Sequence, residues 1–74
     1  MFLILEIQVD HKDTVATLPV VQKDTIEQAQ SAFYSVCAAA AMSALKTHTV
    51  MLFNTEGQLL DRKFWHHDEP PASE

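Results

Sequence analysis

Between Phe2 and Val9 every odd position is apolar (Leu3, Leu5, Ile7, Val9), while the even positions run from Phe2 and Ile4 to Glu6 and Gln8. A repeat of two is the signature of a strand, because successive side chains point to opposite faces. The first half of this strand is apolar on both. Asp10-His11-Lys12-Asp13 forms a polar turn cluster, and Thr14 to Val21 is rich in β-branched residues, as expected for the returning strand of a hairpin. Pro19 has no N–H to give to a ladder, so this second strand belongs at an edge or carries a bulge.

From Thr25 to Lys46 the period changes to that of a helix. Asp24 and Glu27 stand at capping-box spacing ahead of it. Ile26, Ala29, Phe33, Val36, Cys37, Ala40 and Ala44 form an apolar stripe, with Glu27, Gln28, Gln30, Ser31 and Ser35 on the wet side of the first turns. Beyond Val36 the wet side thins out. Ala38, Ala39, Ala41, Met42 and Leu45 make the second half apolar nearly all round, which predicts cover on more than one side.

Thr49 to Phe53 is a continuous apolar run, the pattern of a strand buried on both faces. Asn54-Thr55-Glu56-Gly57 holds the chain's single glycine and predicts a hairpin turn, after which Gln58 to His66 returns with Asp61, Arg62 and Lys63 suited to an exposed edge. The expected fold class is α+β: a four-stranded antiparallel sheet, ββαββ in order 2-1-3-4, with one long helix on one face. Residues 1–66 make a single domain, and residues 67–74, with Pro70-Pro71, a disordered acidic tail. One helix covers one face only. The surplus apolar surface predicts an interface, either on the open sheet (Phe2, Ile4, Met51, Phe53, Trp65) or on the alanine half of the helix (Ala38, Ala41, Met42, Leu45).

Size sharpens that expectation. A chain of 74 residues buries only about 60% of its unfolded surface and is marginal alone. Cys37, the only cysteine, excludes an internal disulfide, which leaves oligomerisation as the common supplement. A homodimer, or a complex with some other protein, is therefore the expected partnership. No basic region precedes the apolar start and Glu6 interrupts it early, so the reading is a soluble, cytoplasmic protein with no membrane partner. The formal charge is -5, and the five Lys and Arg residues are scattered, which argues against nucleic acid. Residues 1–66 hold seven acids and five bases, a balance of -2; Asp68, Glu69 and Glu74 add the remaining -3.

Candidate chemistry is sparse. His11, His48, His66 and His67 include no His-x-His or helical pair, so no metal site is assigned. Cys37 lies on the inward stripe, where burial raises a thiol pKa instead of activating it. Ser31, Ser35 and Ser43 lack a nucleophile elbow, and no proline follows the initiating Met as in tautomerases. Glu6 and Asp61 are strand carboxylates, more often solvent-facing than catalytic. No catalytic residue and no cofactor is assigned.

Leu5-Glu6-Ile7-Gln8, the run Ser35 to Ala44, His48 with Met51-Leu52, and Glu56-Gly57 together resemble a family of short uncharacterised proteins of Gram-positive gut bacteria and their phages or prophages. The likeness spans most of residues 4–57 and implies a small phage-borne accessory protein, without a catalytic residue. Two strands followed by Asp24-Thr25-Ile26-Glu27-Gln28-Ala29 also resemble the start of HicB-type antitoxins, though the Gly and Cys of that family and its DNA-binding region are missing. Three functions follow in order: a non-enzymatic protein-interaction module, homodimeric in form; an acidic, antitoxin-like inhibitor; and a small enzyme using Glu6, Tyr34, His48 or Asp61 at a dimer interface.

Overall fold

The computed structural model describes residues 1–68, and the remaining positions, most of the expected tail, lie outside the described residues. The chain runs β1 (Phe2–Val9), β2 (Val15–Thr17), β3 (Val21–Lys23), α1 (Ile26–Ala41), β4 (Thr47–Asn54) and β5 (Leu59–His66). The α+β class holds, with one helix on an antiparallel sheet. The sheet has five strands where four were expected, along the path β2-β1-β4-β5 with β3 also paired to β1. Leu18 still donates its N–H to the Glu6 carbonyl at 3.0 Å. Pro19 has none to donate, so the expected second strand breaks across Pro19-Val20 and resumes opposite Phe2–Ile4.

The spine is β1 against β4, eight residues long, from Phe2↔Asn54 to Val9↔Thr47. β4 then pairs with β5 through Thr47↔His66 to Leu52↔Asp61, after which Phe53 meets Leu59. Leu60 is thus the extra residue of a bulge, on a strand whose other edge carries Arg62 and Lys63. Asn54 closes the connecting turn: its Oδ1 accepts the N–H groups of Glu56 (3.0 Å) and Gln58 (2.9 Å), and Gly57 takes φ +85°. In the first hairpin, the Asp10 carboxylate accepts from Thr14 N (2.9 Å) and Lys12 N (2.8 Å).

Two corrections concern the helix. Its N-cap is Thr25, not Asp24; the Thr25 hydroxyl accepts the Gln28 N–H at 3.2 Å, so the capping frame is shifted by one residue. It also ends at Ala41, not Lys46. Ser43 Oγ accepts the Leu45 N–H at 3.1 Å, a local turn that replaces the helical ladder and aims the chain into β4. Ala44 consequently leaves the core stripe. Ala38, Ala39, Ala41 and Met42 are exposed, because the single helix touches the sheet along one line and nothing among the described residues covers its back.

The core is Ile4, Ala29, Phe33, Cys37, Ala40, Val50 and Leu52, with Phe2, Ile26, Ala32, Val36 and Trp65 packed around it. Small side chains at 29, 37 and 40 let the helix lie close on the sheet, and Phe33 fills the space between. Phe33 meets a floor set by Val50 and Leu52, and the register Ile4↔Leu52 and Glu6↔Val50 brings the even positions of β1 to that same side. Phe2, Ile4 and Trp65, expected on the open face, are therefore under the helix. His67, assigned to the tail on sequence grounds, contacts the fold: its N–H donates to the Lys46 carbonyl at 2.7 Å.

Candidate functional site

With the even positions of β1 turned inward, its odd positions line the far side of the sheet. Leu3, Leu5, Ile7 and Val9 lie there beside Phe53, Met51, Thr49 and Thr47 of β4, their register partners. β5 adds Leu59, Arg62, Phe64 and His66, β2 adds Val15 and Thr17, and β3 adds Gln22. The central residues are shielded only by their neighbours in the sheet, while Phe64 is 50% and Leu59 49% exposed at the rim. Among the described residues no helix or strand lies over this face. Its middle carries no carboxylate: of the described acids only Asp68, 3.7 Å from His66 at the end of β5, stands by this face, and the others sit in turns, around the start of α1, or on the helix-covered side. Its one permanent cation, Arg62, stands 6.0 Å from the Phe64 ring centre.

The nine residues expected at an interface fall into three places. Met51 and Phe53 are on the bare face. Ala38, Ala41 and Met42 are exposed along the back and end of the helix, with Leu45 half-buried in the following loop. Phe2, Ile4 and Trp65 are in or against the core. The row that the sequence reading missed as a surface, Leu3, Leu5, Ile7 and Val9, had a visible signal in its unbroken alternation. That signal says the four share a face, and is silent about which one.

The covered side holds the molecule's buried polar pair. His48 Nδ1 donates to Glu6 Oε2 at 2.5 Å, and Gln8 Nε2 donates to the same oxygen at 3.3 Å. Glu6 is diagonal to His48 across the β1–β4 ladder, which brings the two side chains together. With Nδ1 held by the carboxylate, the second ring nitrogen, Nε2, has no partner among the described residues. In enzymes a carboxylate-oriented imidazole is a proton acceptor. Here the ring is 2% exposed, and the His67 ring stands edge-on 6.1 Å away. His67 Nε2 donates to the Ala40 carbonyl (2.9 Å) and His11 Nε2 to the Ala44 carbonyl (3.0 Å). One imidazole, His67, thus serves a helix end that has no Lys or Arg in its last turn, and the other, His11, ties down the loop that follows it.

The other candidates are dispersed. A groove of about 500 Å³ is lined by Lys23, Glu27, Gln28, Ser31 and Ala32, away from Glu6 and His48. Tyr34 is exposed on α1, and Asp61 lies on β5 opposite Leu52. Cys37 is buried, and burial, reinforced by the Asp61 carboxylate, pushes its thiol pKa up. Among the described residues no three His, Cys, Asp or Glu side chains are grouped as metal ligands, and no helix is long and apolar enough to cross a membrane. No protein-family model matches this chain, nor does any curated protein or solved structure.

Proposed function

We propose that this chain is a non-enzymatic protein-interaction module that works through the bare face of its sheet. One observation carries the reading: the sheet turns its more aliphatic side away from its own helix, leaving Leu3, Leu5, Ile7, Val9, Met51 and Phe53 half-buried on one face with Val15, Leu59 and Phe64 exposed at its rim. Each aliphatic side chain taken fully out of water contributes about 1.5–3 kcal/mol, so a protein surface that covers the row gains substantially. The acidic-inhibitor alternative finds less support, because the described acids are spread over separate turns and both ends of the sheet. The resemblance to phage-associated proteins provides a setting, an accessory protein, and adds no chemistry.

The test is ultracentrifugation of the purified chain, alone and in extract of its source cells. Leu5→Lys on the bare face is expected to abolish the associations that the wild-type chain makes, while Ala38→Glu on the back of the helix preserves them. Association that survives Leu5→Lys contradicts the reading.

A further inference from the structure

We infer that the occupant of the bare face is a second copy of this chain, stacked sheet against sheet with the two helices outside. The inference rests on the reading of that face as a binding surface, and it names the partner.

Area is the first argument. Four strand columns about 4.8 Å apart and eight residues rising about 3.3 Å each give a footprint of roughly 500 Å². With side-chain relief, two such faces remove about 1,200–1,600 Å² from water, the size of a standard stable interface. Charge is the second. A two-fold contact sets a patch against itself, so any charge on it meets its own kind. This chain carries -5 overall, yet of its described acids only Asp68, beside His66 at the far end of β5, approaches the patch, and none lies near its centre. Arg62, the one fixed charge, is on β5 at the rim, where water still reaches it.

The sheet edges supply the third argument, since they are the other route to self-association. One is interrupted at Pro19, and the other is guarded by the Leu60 bulge and by Asp61, Arg62 and Lys63, devices that discourage strand addition. The face has no comparable guard. Residues 69–74 bring two acids and no large apolar side chain with which to cover it.

Aligned sheets pack about 10 Å apart with strands crossing near 30°. The middle of the patch is the directly paired Leu5 and Met51 on the two central strands. These two residues fall nearest the symmetry axis and pack against their counterparts.

Sedimentation equilibrium of the whole chain at tens of micromolar tests this, with Met51→Lys, Leu5→Lys and Ala38→Glu alongside and far-UV circular dichroism confirming each fold. The expected result is twice the 8.3 kDa chain mass for wild type and A38E. For either face variant the dissociation constant is expected to rise by at least about 30-fold, the effect of losing a central contact. A wild-type monomer that binds the apolar dye anilinonaphthalene sulfonate, with binding lost in M51K, overturns the second-copy inference and leaves the face as a site for another protein. A monomer that binds no dye overturns both readings. A dimer that resists both face variants and is broken by A38E does so too, and moves the contact to the helix.

Discussion

The side of the sheet under α1 seats Glu6, Gln8 and His48 among Ile4, Val50 and Leu52, whereas the side facing away presents Leu3, Leu5, Ile7, Val9, Met51 and Phe53 with no carboxylate among them. Hydrophobic content alone predicts the reverse arrangement. What selects the covered side is fit: Ala29, Cys37 and Ala40 bring the helix close, Phe33 fills the gap over Val50 and Leu52, and Glu6 and His48 satisfy most of each other's polar demand. On the proposed reading, one face specifies the fold of a single copy and the other is left for association. Substitutions on the two faces should therefore behave differently.

The largest effect belongs to the covered face. Phe33→Ala should lose about 3–5 kcal/mol in urea denaturation, because a fully buried ring leaves a cavity that a one-helix core fills poorly. His48→Ala follows. It strands the Glu6 carboxylate in the core, and breaking a buried pair from one side costs about 3–5 kcal/mol at most. Replacing both partners with apolar residues of similar volume should recover much of that loss, a comparison that separates the cost of an orphaned charge from the value of the pair. Met51→Lys, by contrast, should barely change the urea midpoint in dilute solution. A loss of several kcal/mol there would mean that the two faces have been assigned the wrong way round.

Smaller effects probe the ends of the elements. Thr25→Ala should cost about 1 kcal/mol through the lost cap on Gln28 N, while Asp24→Ala should cost less, as its side chain is not the cap. Equal losses would undo the cap assignment. At the first hairpin, the backbone bond from Thr14, opposed by a little desolvation and helped by the bond from Lys12, holds Asp10 below its ordinary value of 3.8. A carboxyl depressed in the folded state contributes stability above that ordinary value, and the contribution is lost as pH falls through the lower folded one. Asp10→Asn should therefore flatten the acid limb of the stability profile slightly. An unchanged acid limb would show that the turn does not feel the charge.

Alternation, helical period and turn chemistry made most of the architecture legible: the first strand, both hairpins and the final strand stand where the residues place them, and the helix lies between the hairpins with a shifted cap and an earlier end. The parts that were not legible depend on contacts distant in sequence. The break at Pro19 appeared as an edge or a bulge because a missing N–H does not reveal whether pairing resumes beyond it. The helix was read five residues too long because Ala44 and Leu45 continue its pattern, whereas Ser43 and the start of β4 end it. Of the expected interface, Met51 and Phe53 lie on the bare face, while Phe2, Ile4 and Trp65 were misplaced. A two-residue repeat sorts side chains into two sets, and only the register Ile4↔Leu52 decides which set meets the helix.

The most direct measurement is the oxidation rate of Met51 by dilute peroxide, followed by mass spectrometry over a range of protein concentrations, with Met42, 89% exposed, as the internal standard. The account predicts that Met51 reacts readily in the most dilute samples and becomes protected as concentration rises, while Met42 reacts at one rate throughout. Met51 protected equally at every dilution would place it inside a single copy and contradict the account.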